Sequence, residues 1–296
     1  MTVRRPLVVG LMAVGAIALG SLAWSNRQQD QGLRDDWISQ LFAPRSLRVL
    51  ASRSGSGPAA PQPPDQRRWR SPLQRQCSGV DPAQRQRLLT RLGQLRQRSN
   101  TLAIDPSNYG ERFEQDAFGQ PINPTPQLIV LHETVYGIGS AINTFVTPHP
   151  RDEDQVSYHA LIGLDGAVVQ LLDPQKRAFG AGNSAFDGQW VITNPAFRGS
   201  VNNFALHVSL ETPLDGEDSE GGHSGYTPSQ YDALAVLLAD WMQRFSIPYT
   251  HITTHAHVDL GGERSDPRSF DWQELESRLA DLGLLCPANP RPPRSG

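Results

Sequence analysis

The sequence has little of what several protein classes require. It carries no excess of positive charge: 27 Lys+Arg against 30 Asp+Glu leave a formal net charge of −3 over 296 residues. The electrostatic footprint of a nucleic-acid-binding chain is therefore missing. There is no phosphate-cradling glycine loop and no internal repeat, which sets aside P-loop nucleotide binding and solenoid architectures. HExxH and paired-cysteine signatures are absent too, so spacing alone declares no metal site. Cysteine is scarce, at 2 in the whole chain. Neither sits behind the N-terminal apolar run, which argues against a lipoprotein.

That run is the first positive feature. Arg4 and Arg5 precede an uncharged stretch, mostly Leu, Val, Ala and Gly, that continues to Trp24. A basic flank before an apolar run is an export signal. Ser21-Leu22-Ala23 resembles a small-x-small cleavage site, yet the run also suffices to span a bilayer core of roughly 30 Å. Residues 1–25 are thus expected to be a signal peptide or a membrane anchor. In either case the basic flank keeps the N-terminus inside and the rest faces outward, in the periplasm or cell envelope. In an oxidising compartment a lone pair of cysteines is a disulfide candidate. A Cys77–Cys286 bridge would tie the N-terminal extension to the end of the last helix.

Residues 26–76 read as a low-complexity linker, largely disordered, densest in Ser, Gly, Pro, Gln and Arg from 52 to 72. Residues 77–126 form an extension with one helix, opened by Asp81-Pro82 and carrying Leu88, Leu89, Leu92 and Leu95 at helical spacing. From residue 127 the pattern changes. The apolar run 128–131 predicts a buried strand, and Asp165-Gly166 predicts a hairpin turn between strands over 158–164 and 167–171. Residues 204–210 alternate, with Phe204, Leu206, Val208 and Leu210 on one face and Ala205, His207 and Ser209 on the other. Thr227-Pro228 opens a helix to Phe245, a strand is expected over 247–252, and a closing helix over 271–284. Residues 287–296 are expected to be a disordered tail. The Arg- and Gln-rich run 67–98 and the acidic run 215–220 read as solvated surface. The fold class expected is α/β: a single domain with a mixed central β-sheet flanked by helices.

Three polar residues stand out. His132 ends the first strand, His255 lies just beyond a later one, and Asp266 follows in the next loop. Two imidazoles and a carboxylate around an open coordination position make a catalytic zinc site. By spacing alone the signal is weak, and scattered surface histidines are the favoured reading.

Several motifs in order carry a resemblance: LIVLHET, VSYHALIGLDGAVVQLL, RAFGAGNS, YTPSQYDALAVLLADWMQRFSIP and THAHVDLGGERSDPRSFDW. Together they resemble the N-acetylmuramoyl-L-alanine amidase family, which includes the peptidoglycan-recognition proteins. The resemblance implies a peptidoglycan-recognition-protein-like zinc amidase domain over residues 127–286. The activity implied is hydrolysis of the amide between N-acetylmuramic acid and L-alanine in peptidoglycan. The alternative is a non-catalytic module that recognises muropeptides on the same fold. Peptidoglycan is the expected partner, Zn2+ the expected cofactor, and a monomer the expected state.

Carried over by position, His132, His255 and Asp266 match the zinc ligands, with His257 competing with His255. Family members use either a Glu at the position of Ser209 or a Tyr at the position of Tyr158, which places this chain nearer the tyrosine branch. Arg264 stands where many members have Lys and would supply positive charge to an oxyanion. Glu211, expected on the face of Ser209 by strand alternation, is a candidate general base. Gly180 stands where the family often has His. Arg268, after Pro267 where Gly is usual, reads as loop variation.

Overall fold

The computed structural model describes residues 59–97, 101–217 and 221–286. The expected signal or anchor, most of the linker and the tail lie outside the described residues. Among the described residues, no helix is long and apolar enough to cross a membrane.

A five-stranded sheet organises the domain, in the order β4-β3-β6-β2-β7. Its strands are β2 (Leu128–Glu133), β3 (Ala160–Ile162), β4 (Val168–Gln170), β6 (Ala205–Leu210) and β7 (Ile252–Thr254). A separate short pair joins β1 (Tyr109–Gly110) to β5 (Arg177–Ala178). β3, β6, β2 and β7 run parallel, and β4 returns antiparallel to β3. The sheet is therefore mixed, as expected. The hairpin turn depends on Gly166: its φ is +78°, and a Cβ there would lie 2.4 Å from the Ser229 carbonyl oxygen. Asp165 Oδ1 accepts from Ala167 N (2.8 Å) and closes the turn.

Helices α1 (Pro82–Gln97), α3 (Pro228–Phe245) and α5 (Trp272–Asp281) cover one face. There Leu206, Val208 and Leu210 of β6 and Ile129 and Leu131 of β2 join Leu234, Leu237, Leu238 and Trp241 of α3 in the main core. α3 starts where expected because Thr227 and Gln230 form a capping box. α1 is capped by Asp81 Oδ1, which accepts from Ala83 N (2.8 Å), and Leu89 stays exposed while Leu88, Leu92 and Leu95 are buried. The expected strand at 247–252 begins only at Ile252: Pro248, which has no N–H for a ladder, instead precedes a 3-10 turn over Tyr249–His251. α5 is shorter than expected and is followed by Gly283 at φ +75°.

The N-terminal segments pack against the domain where they are described. Residues 59–76 are not a free linker where described. Leu73 is 3% exposed in the main core, Trp69 packs against Trp272, and Gln66 Nε2 donates to the carbonyls of Ala185 (2.9 Å) and His257 (2.7 Å). A few well-placed side chains hold an otherwise polar strip against the domain. The extension also penetrates the fold: Arg112 donates to the carbonyls of Asn203 (2.8 Å), Ala205 (2.9 Å) and Pro174 (3.0 Å). Cys77 and Cys286 are disulfide-bonded with Cα atoms 4.9 Å apart, joining the start of this extension to the segment after α5.

Candidate metal centre

The other face of the sheet carries the polar residues. Along β2, Leu128 and Val130 point to the second apolar cluster and His132 continues that side at the C-terminal end. Register places Ser209 of β6 beside His132 and His207 beside Val130. β7 ends next to β2, and His255 opens the short α4 (His255–Val258) immediately after it, with Thr254 as N-cap. Asp266 returns on the following loop, and its carbonyl accepts from Ala256 N (2.9 Å), which ties the loop to α4. The crevice beyond the carboxyl ends of parallel strands is a recurrent place for ligand sites in α/β folds.

His132, His255 and Asp266 meet there, with one potential ligand atom from each lying within 4.8 Å of the others. His132 Nδ1 lies 3.3 Å from Asp266 Oδ2, and His255 Nδ1 lies 3.0 Å from Asp266 Oδ1. His132 Nδ1 is buried without a well-formed hydrogen bond among the described residues. Burial, then the neighbouring His255, pushes the His132 pKa down to about 4, so its imidazole is neutral and carries a lone pair. Burial raises the Asp266 pKa, but the His132 and His255 imidazoles beside it outweigh that effect and hold the carboxylate below its usual range. Two imidazoles and a carboxylate converging on one point fit a tetrahedral divalent cation with an open position.

His257 is not part of the cluster. It packs against Trp69 (ring centroids 4.6 Å) and Phe186 instead.

Tyr158 stacks on His132, with ring centroids 4.4 Å apart and planes at 25°. Phe145 meets the tyrosine edge-on (5.4 Å) from α2 (Ile138–Val146), an element with no side-chain cap that the sequence does not announce. Burial, then the Asp266 carboxylate, raises the Tyr158 pKa, so its phenol keeps its proton and can donate. Arg264 is exposed, and its positive charge reaches both His132 and Tyr158 as a minor influence beside burial. Asp259 shapes its loop by accepting from Glu263 N (2.7 Å) and Arg264 N (3.2 Å). Ser209 is fully buried, and its hydroxyl has no partner among the described residues.

Glu211 is not brought to the cluster. Its Oε1 accepts from Ile138 N (2.8 Å) and its Oε2 from Leu164 N (2.9 Å), so the carboxylate joins α2 and the hairpin to the end of β6. β6 ends at Leu210, and alternation does not extend beyond the strand. The expected general-base role therefore finds no support in this geometry.

Two residues at the site carry roles that the sequence did not reveal. Glu133, next to His132, is buried and accepts from the Arg268 guanidinium and backbone N, the Tyr226 hydroxyl and His223 Nε2. Arg268 is therefore not loop variation: it locks the segment carrying Asp266 to the end of the strand carrying His132. The only sequence signal was two opposite charges in motifs already singled out for their neighbours.

A candidate metal site at the strand ends of a mixed α/β sheet is what this geometry defines. The chain belongs to the N-acetylmuramoyl-L-alanine amidase family, whose model matches residues 122–269. It is 30% identical over 123 residues to the 1,6-anhydro-N-acetylmuramyl-L-alanine amidase AmpD of Citrobacter freundii, a match covering 42% of this chain and 57% of that protein. This chain thus spans a little over half of that relative's length. The AmpD of Escherichia coli strain K12 is 29% identical over 169 residues, covering 52% of this chain and 82% of that protein. A crystal structure of an AmpD derivative aligns with a TM-score of 0.45 at 23% identity, covering 62% of this chain and 96% of that one.

Proposed function

We propose that this protein is a zinc-dependent hydrolase of the amide between N-acetylmuramic acid and the L-alanine of the peptidoglycan stem. One observation carries the reading: His132, His255 and Asp266, from two strand ends and a loop, bring their ligand atoms within 4.8 Å of one another. Zinc bound there would supply a Lewis acid and lower the pKa of water towards about 7. The chain's own residues would supply stabilisation of the oxyanion. Tyr158, protonated and stacked on His132, donates a hydrogen bond to the oxygen of the scissile carbonyl as negative charge develops on it. Arg264, always charged, adds attraction for the same oxyanion from the rim. Export is part of the proposal: the Cys77–Cys286 bridge fits an oxidising compartment, as does the basic and apolar N-terminus.

The test is release of new L-alanine amino termini from purified peptidoglycan and from 1,6-anhydromuramyl peptide, with and without a chelator. Chelator-sensitive release, lost in His132→Ala, is the expected result, and the two substrates show which form of the sugar is accepted. Binding of muropeptide without release would instead establish a recognition module.

A further inference from the structure

His207 lies outside the ligand set and was singled out by no motif, yet it touches the centre directly. It is fully buried on β6, and its Nδ1 lies 2.9 Å from His132 Nε2. With a metal held at His132 Nδ1, the proton of that imidazole would sit on Nε2, and the hydrogen bond would run from His132 Nε2–H to His207 Nδ1. The space for this imidazole is made by Gly180: a Cβ on that residue would come 2.4 Å from His207 Nδ1 and 2.5 Å from its Cγ. Gly180 is also the position where the family often carries a histidine. Gly180 and His207, which look independent in the sequence, are one arrangement in space: the glycine leaves the room that the imidazole fills.

The fold itself gains little from an imidazole here. His207 Nε2 is buried with no partner among the described residues, a cost that an apolar side chain of similar size would avoid. The polar contact that its ring makes is the one to His132.

We infer that His207 is a positioning residue for the metal centre, admitted by Gly180, which fixes the tautomer and orientation of the ligand His132. Outer partners of ligating imidazoles are typically worth roughly 10–100-fold in metal affinity. This inference rests on the zinc reading of the site.

The test is zinc affinity, measured by competition with a chromophoric chelator on the full chain. His207→Leu removes the acceptor at similar volume and is expected to weaken zinc about 10–100-fold. His207→Asn, which keeps an acceptor near the Nδ1 position, is expected to recover most of the loss. Gly180→Ala is expected to weaken zinc as well, because its Cβ would collide with the His207 ring and displace it from His132. Nitrogen-15 NMR of the zinc-loaded wild-type protein reads the same claim without a variant. It is expected to show His207 protonated on Nε2 and coupled through Nδ1 to His132. Wild-type zinc affinity in a folded His207→Leu, or a His207 protonated on Nδ1, would overturn the inference while leaving the amidase reading intact. A wild-type protein that holds no zinc would overturn both.

Discussion

Glu133 and Arg268 form an ion pair in which both side chains are nearly excluded from solvent, at 5% and 6% exposure. It joins the residue after His132 to the loop that carries Asp266. Breaking a buried pair from one side leaves the other charge without compensation. Arg268→Ala is therefore expected to lower stability by about 3–5 kcal/mol. Zinc affinity should fall with it, because Asp266 is no longer held against β2. Urea melts and chelator competition on the same preparation check both; a stable variant with unchanged affinity would refute the coupling.

Tyr158→Phe keeps the aromatic ring that stacks on His132 and removes only the donor. Zinc content should stay at the wild-type level while kcat falls roughly 100–1000-fold, the range typical for loss of one oxyanion donor. Steady-state kinetics beside metal analysis separate the two. Full activity would move the oxyanion role elsewhere.

Glu211→Gln distinguishes a structural carboxylate from a catalytic one. With both oxygens engaged by the amides of Ile138 and Leu164, its loss should cost about 1.5–3 kcal/mol of stability and leave kcat close to wild type. A general base would instead show a loss of roughly 100-fold or more in kcat with an unchanged melt.

The Cys77–Cys286 bridge closes a sequence separation of 209 residues. Cross-links over long loops restrict the unfolded chain most, and a contribution of about 2–5 kcal/mol is expected. Thermal melts with and without reductant measure it, with Cys77→Ser/Cys286→Ser as the control. An unchanged melting temperature on reduction would refute it.

Acid should weaken the metal-free protein well before ordinary carboxylates titrate. Burial pushes His159 down to about 3, with Arg112 adding to the shift, and His132 down to about 4; His207 is also lowered, mainly by burial. Between these values and the ordinary histidine value near 6.5, the unfolded chain binds protons that the folded chain refuses. Stability is therefore fully present above about 6.5 and is lost as pH falls, by up to about 1.4 kcal/mol per pH unit for each such imidazole. Urea melts from pH 7.5 to 5 test the sign. A midpoint that rose over that interval would contradict neutral burial of these rings.

The sequence by itself determined the mixed α/β character, the hairpin at Asp165-Gly166, the capped start of α3 and two of the three converging residues, His132 and Asp266. These depend on short-range rules: alternation, helical spacing, turn chemistry and motif order over neighbouring positions. It also pointed to the disulfide, because two cysteines behind an export-like N-terminal run leave one intramolecular pairing. Other features needed the tertiary structure. His255 rather than His257 joins the cluster because α4 turns the latter towards Trp69 and Phe186. Glu211 leaves the site because its strand has ended, and Gly180 makes sense only beside the His207 ring. The Glu133–Arg268 pair spans elements far apart in the chain, and Trp69 and Leu73 hold a segment whose composition alone reads as linker. In each case the deciding contact joins residues distant in sequence, and local patterns carry no information about which distant side chain will fill a given space.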